Sequence, residues 1–256
     1  MRILVWNMNK RTRAWDYVRR NAPNLDVALL QETHDPASTL EDHWRSVIWR
    51  PYSRKPGSRL ARWGSAVIAP ALELEQYEPG EEFSWLRELD GCVAIARSTR
   101  QEPTWFASVH AQASPIPPEI LQLHRWDEVP LCTPGREVWQ IDLIPFELHQ
   151  LFADDTFVWG GDLNSAGRMD DVPGFSGGNR RLREIWADAG SCDLRTRFFT
   201  EEQQTFFAPK RGAYQLDHVL ADAATEARVV DWYVDTEPVR SNPSLSDHAP
   251  IWVELQ

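Results

Sequence analysis

Eight polar residues stand at the edges of short apolar runs, and their types are suited to one chemistry. Asn7 follows Ile3–Trp6, Glu32 follows Val27–Leu30 and Gln31, and His110 follows Trp105–Val109. Asp162 and Asn164 follow Thr156–Trp159 through a Gly-Gly pair, Asp217 lies inside Tyr214–Leu220, and Asp247 with His248 precedes Pro250–Leu255. Carboxylate and amide oxygens bind hard divalent cations, while histidine and aspartate exchange protons. Hydrolysis of a phosphate ester needs both: a water is deprotonated and aimed at phosphorus, the phosphoryl charge is offset, and the leaving oxygen is stabilised. No Ser or Cys ends one of these runs as a competing nucleophile. The spacing of Asp162 and Asn164 places both on one side of an extended segment. Taken singly, each residue has a plainer reading: GGDLN (160–164) as a turn, Asp247 as a loop cap, Glu32 as a surface acid and His110 as a satisfied core histidine. Their joint placement at run edges favours a site.

The runs that must position these residues have strand length and are rich in β-branched and aromatic residues. Buried strands that deliver a polar residue at the carboxyl end build sites in open α/β sheets. Asp217 and Asp247–His248 approach from the opposite chain direction, so mixed sheets are expected. Helical spacing is read over Arg11–Asn21, over Arg136–Phe152 with Pro145 starting or kinking its second half, and over Asn179–Ala189. Alternating strands and helices predict an α/β layered fold.

The 256-residue length, 42% hydrophobic content and absence of a long linker predict one domain over residues 1–256. A formal net charge of -11 excludes a polybasic nucleic-acid coat and leaves room for a metal-assisted site. Cys92, Cys132 and Cys192 form no zinc pattern and no disulfide framework, and no apolar run approaches membrane-spanning length. The expectation is a soluble, cytoplasmic monomer with no membrane insertion and no protein partner.

In order along the chain, WNMN (6–9), QE (31–32), VH (109–110), GDLN (161–164), QLDHVL (215–220) and SDHAPI (246–251) resemble the motifs of the endonuclease/exonuclease/phosphatase superfamily, in its deoxyribonuclease-like, two-histidine branch. The resemblance spans essentially the whole chain. It implies a four-layer α/β sandwich of two packed mixed β-sheets flanked by helices, and dependence on Mg2+ or Mn2+. It also implies that Asn7, Glu32 and Asp247 serve the metal. Asp162 would orient or deprotonate the attacking water beside Asn164. His248 would contact the scissile phosphate with Asp217 orienting it, and His110 would protonate the leaving oxygen. Asn9 stands where some relatives carry an acid, and an amide there weakens a second metal position. A histidine at 110, where abasic-site endonucleases usually carry tyrosine, disfavours abasic-site repair. No carboxylate partner for His110 is visible near Arg62–Ser65.

A nuclease acting on DNA or RNA is the resulting expectation. The alternatives are an esterase of small phosphoesters, inositol phosphates or phospholipid head groups, with Pro115–Leu123 as the nearest lipid-facing insert, and an inactive binding module. Asn9, Arg59, Arg62 and Trp63 are candidate substrate contacts. The basic cluster Arg45, Arg50, Arg54, Lys55, Arg59, Arg62 and the group Arg180, Arg181, Arg183, Arg195, Arg197 either grip phosphates or form a solvated surface. Trp63 and Trp85 either stack on a base or cap the core. His34, His43, His124, His149 and His218 are read as structural.

Overall fold

The computed structural model describes residues 1–38, 44–52, 61–78, 80, 83, 91–121, 128–152, 155–175, 177–209 and 212–256. Twelve strands are described: β1 (Arg2–Asn7), β2 (Val27–His34), β3 (Ser46–Pro51), β4 (Trp63–Ala69), β5 (Leu74–Gln76), β6 (Val93–Ser98), β7 (Thr104–His110), β8 (Thr156–Asp162), β9 (Cys192–Asp193), β10 (Asp217–Ala221), β11 (Val229–Val234) and β12 (Ile251–Leu255). They form two six-stranded sheets, ordered β11-β12-β1-β2-β4-β3 and β5-β6-β7-β8-β10-β9. Each sheet has one central parallel pair, β1–β2 and β7–β8, in otherwise antiparallel surroundings. The mixed sheets expected from the sequence are present.

Strand parity builds the layers. Ile3 and Val5, Val27 and Leu29, Phe106, Val158, Val219 and Ala221 face the partner sheet and form the core between sheets. Leu4, Trp6, Ala28 and Leu30 point the other way, onto Trp15 and Val18 of helix α1 (Ala14–Asn21). On the far side, Trp105, Ala107, Val109, Phe157 and Trp159 pack against α2 (Gln140–Phe152) and α3 (Asn179–Asp188). Helix, sheet, sheet and helix therefore stack in four layers. Alternation with period two explains it, because each strand has apolar residues on both faces.

Three boundaries differ from the sequence reading. Helix α1 starts at Ala14 because Arg11–Arg13 are spent in turns, the Ala14 N–H donating to the Arg11 carbonyl at 3.0 Å. Helix α2 starts at Gln140, where Asp142 draws in Arg136 (2.6 Å) and the Trp139 N–H (2.9 Å), and it runs through Pro145. Strand β10 starts at Asp217; Tyr214 instead forms an isolated bridge to Phe206. Ile116 and Ile120 of the 115–123 insert are buried against the α2 layer rather than exposed. No helix among the described residues is long and apolar enough to cross a membrane.

Candidate active site

The same parity that fills the core delivers the candidate site. Continuing the inward positions of β1, β7, β8 and β10 to their ends reaches Asn7, His110, Asp162 and Asp217. His110 and Asp217 both pair in register with Asp162. The carboxyl ends of the parallel strands thus meet the amino end of antiparallel β10 at one rim of the sandwich. Glu32 should face outward by this count, since Leu30 does. A bulge corrects it: the register between β2 and β4 shifts by one residue between Leu30 and Thr33, and Glu32 takes φ 46°. Bulges re-aim side chains in this way. His218, one residue after Asp217, takes the outward parity and is buried beside Trp186.

The backbone under the site is unusually constrained. Among the described residues, the non-glycine residues with positive φ are Asn9, Lys10, Glu32 and Asn164, all at this rim. Each such conformation costs on the order of 1–2 kcal/mol for an L-residue, and such strain gathers at functional sites. Gly161 (φ 146°) allows the sheets to touch: a Cβ there would lie 2.0 Å from the Val109 carbonyl oxygen and 2.7 Å from the Gln31 side-chain amide. Gln31 Nε2 donates across to Ser108 Oγ at 2.8 Å, and that hydroxyl donates to the Leu30 carbonyl at 2.8 Å. This polar stitch sits on the inward positions directly beneath the candidate residues.

Asp162 is the hub. Its Oδ2 accepts from Asn7 Nδ2 at 2.9 Å and lies 3.7 Å from His110 Nε2 and 3.8 Å from His248 Nε2. Its Oδ1 accepts the Asn164 N–H at 3.0 Å, while Asn164 Nδ2 donates to the Ala111 carbonyl at 3.1 Å. His248 Nδ1 donates to Asp217 Oδ2 at 2.8 Å, and the ring lies 4.9 Å from that of Phe206. The loop that carries His248 is tied to β1 through Trp6 Nε1, which donates to the His248 carbonyl at 2.8 Å, and Ser246 Oγ, which donates to the Asn7 carbonyl at 2.8 Å. Asn9 Nδ2 donates to Asp247 Oδ1 at 2.8 Å. Glu32 Oε1 lies 3.5 Å from His110 Nε2, and Lys10 Nζ holds Glu32 Oε2 at 2.9 Å. Among the described residues, the carboxylates facing His110 are therefore Glu32 and Asp162, not a residue of 62–65. Its buried Nδ1 has no hydrogen-bond partner among the described residues.

Burial raises the Asp162 carboxyl above its ordinary range; the charges of His248 and His110 pull it down, and Asp217 pushes it up again. Burial disfavours a charged His248, but Asp217 and Asp162 outweigh it and push the ring up to about 10. His248 is thus the charged partner of a buried ion pair. Burial and Arg183 hold His218 below the usual histidine range, consistent with a neutral ring that donates Nε2 to the Ser165 carbonyl at 2.9 Å.

The donor set suits a hard divalent cation. Glu32, Asp162, Asp217 and Asp247 place four carboxylates along this rim, and buried Asp217 Oδ1 has no partner among the described residues. Ligand atoms of Asp162, Asp217 and His248 come within 4.8 Å of one another. That trio is a poor metal set, because His248 Nδ1 is committed to Asp217 and the ring carries a proton. Asn7, Glu32 and Asp247, the metal residues expected from the sequence, carry oxygens of the kind a hard cation takes.

The remaining expectations divide. Arg62 is exposed, and its carbonyl oxygen lies 2.8 Å from His34 Nδ1. Trp63 forms a wall beside His110, ring centroids 6.1 Å apart, with Tyr52 stacked on it at 4.3 Å and Lys10 Nζ 4.3 Å above it. Arg54, Lys55, Arg59, Trp85, His43 and His124 lie outside the described residues. Arg45, Arg50, Arg180, Arg183, Arg195 and Arg197 are paired with Glu73, Glu78, Asp171, Glu202, Asp193 and Glu226, which favours the solvated-surface reading for them. Sequence reading missed Lys10 and Phe206. Lys10 directly follows the WNMN motif, which was its available signal; Phe206 lies in no motif.

The fold and this rim define a hydrolase acting on phosphoester bonds. The chain belongs to the Endonuclease/Exonuclease/phosphatase family, whose model matches residues 4–248. A comparison with curated protein sequences finds no match. Among solved structures, an AP endonuclease from Archaeoglobus fulgidus is similar at 18% identity and TM-score 0.69, covering 100% of this chain and 99% of that one. The catalytic domain of Xenopus laevis APE2 is similar at 17% identity and TM-score 0.67, covering 100% and 91%. The 3' phosphatase NExo from Neisseria bound to a product DNA hairpin is similar at 18% identity and TM-score 0.65, covering 100% and 99%. At these identities the structures share the fold.

Proposed function

We propose that this chain is a divalent-metal-dependent phosphodiesterase that cleaves nucleic acid by attack of an activated water. The observation that carries it is the convergence of Asn7, His110 and His248 on Asp162 Oδ2 within 3.8 Å. Asp162 Oδ2 accepts the proton of the attacking water. Burial raises this carboxyl toward the working pH, which suits a base. Asn7 and the Asn164 N–H hold its two oxygens in place. His248, kept charged and oriented by Asp217, donates Nε2–H to a phosphoryl oxygen. His110 Nε2 protonates the leaving oxygen. Asn7, Glu32 and Asp247 would hold the cation, Mg2+ in our reading, which when bound would offset charge on the phosphoryl oxygens.

A cavity of about 410 Å³ opens beside Asn164, walled by Leu163, Met169, Phe206, Tyr214 and Leu216. An apolar chamber next to the scissile position suits the sugar or base of a nucleotide, and the DNA-bound Neisseria relative adds support. We read residues 1–256 as one domain, supported by the two sheets contributing jointly to one rim. Cys92, Cys132 and Cys192 form no disulfide among the described residues, which supports a reducing, cytoplasmic setting, and we read the chain as a monomer.

The test is a substrate panel with Mg2+: single-stranded DNA, duplex DNA, RNA, bis-p-nitrophenyl phosphate, p-nitrophenyl phosphate and inositol phosphates. Cleavage of the diesters with little monoester turnover is expected. Preference for inositol phosphates or simple monoesters would replace the nuclease reading by a phosphatase.

A further inference from the structure

Lys10 has no part in the roles assigned above, yet it is built firmly into the rim. It is the one lysine among the described residues. Its N–H donates to the Glu32 carbonyl at 2.9 Å, and its own carbonyl lies 2.9 Å from His34 Nε2. Both main-chain polar groups are thereby fixed to β2. Lys10 (φ 56°) and Asn9 (φ 45°) sit consecutively in the left-handed region, which no glycine here relieves. The side chain then crosses the face of Trp63, itself backed by Tyr52, and ends on Glu32 Oε2. Backbone strain, a cation–π contact and an ion pair all bring one ammonium to one carboxylate oxygen.

Asn9 acts on the other rim acid in the same way, its amide occupying Asp247 Oδ1. Residues 9 and 10 thus place nitrogen donors on one oxygen each of Asp247 and Glu32. Glu32 Oε1 is left facing His110 and the site's interior. A second divalent ion shared between Glu32 and Asp247 would have to displace these donors. We infer that Lys10 is the site's built-in second cation: it holds Glu32 to a single available oxygen, limits the site to one divalent ion and weakens the binding of that ion by competing for the carboxylate. This rests on the proposed metal role of Glu32.

The experiment counts and titrates Mn2+ on metal-stripped protein by electron paramagnetic resonance and calorimetry, without substrate. Wild type, Lys10→Met and Lys10→Arg are compared. Methionine keeps an unbranched stem to cover Trp63 and removes the charge; arginine keeps the charge. Wild type is expected to bind one Mn2+ per chain. Lys10→Met is expected to bind it about two- to tenfold more tightly, the range set by losing a partly exposed ion pair that competes with the metal. Lys10→Arg should stay near wild type. Two Mn2+ per wild-type chain, or equal affinity in wild type and Lys10→Met, overturns the inference while leaving the metal site standing. No Mn2+ binding to wild type overturns both.

Discussion

Asp162→Asn is expected to lower kcat on a phosphodiester by about a thousandfold, with the melting temperature within about 4 °C of wild type. The substitution keeps the shape of the side chain and removes its ability to take a proton. It acts at the atom where three elements converge: Asn7 at the end of β1, His110 at the end of β7, and His248 ahead of β12 all address Asp162 Oδ2. The amide also cannot reproduce both accepted hydrogen bonds, because the Asn7 amide and the Asn164 N–H each present a donor to a different oxygen. The water and the phosphoryl group would therefore be misplaced as well as unactivated. Steady-state kinetics on bis-p-nitrophenyl phosphate, with a thermal melt of the same sample, separates loss of chemistry from loss of fold. A loss below about tenfold would remove Asp162 from the role of base.

Gly161→Ala has the largest expected effect on folding, above about 4 kcal/mol, and should yield little soluble protein. Its Cβ would be built 2.0 Å from the Val109 carbonyl oxygen on the neighbouring strand and 2.7 Å from Gln31 across the sheet interface. Neither neighbour has room to retreat: β7 and β8 are locked in parallel register through Val109 and Gly161, and Gln31 is held by Ser108. The φ of 146° adds backbone strain to the overlap. Gly135→Ala is the control. Gly135 also has positive φ, 78°, but nothing lies within 4 Å of its added Cβ, so only the conformational cost of about 1–2 kcal/mol is expected. Soluble yield and chemical unfolding of the two variants decide between steric overlap and backbone strain. Equal destabilisation would contradict the close packing of the two sheets at Gly161.

Much of this was legible in the sequence, for identifiable reasons. Period-two burial writes the inward positions of β1, β7, β8 and β10 into the order of apolar residues, and extending them one or two residues reaches Asn7, His110, Asp162 and Asp217. The two-residue spacing of Asp162 and Asn164 was visible too, although Asn164 bends into positive φ and bonds back to Asp162. What escaped depends on tertiary contact. The bulge that turns Glu32 inward is a register shift against β4, set by pairing rather than by local residue type. Phe206 reaches His248 from a segment with no strand or helix of its own. Lys10 acquires meaning only where β2 lies beside it. The arginine-rich helix start at 180–183 read equally well as a phosphate grip, and only the positions of Asp171 and Glu202 assign two of its arginines to ion pairs.

The most direct test of the central claim is a metal titration of diesterase activity on chelator-stripped protein, run side by side for wild type and Glu32→Gln on single-stranded DNA. Wild type should be inactive in excess chelator and recover on addition of Mg2+, while Glu32→Gln should need about ten- to a hundredfold more metal or fail to recover. Undiminished cleavage in chelator, or recovery of Glu32→Gln at the wild-type metal concentration, would contradict a metal-dependent site built on Glu32.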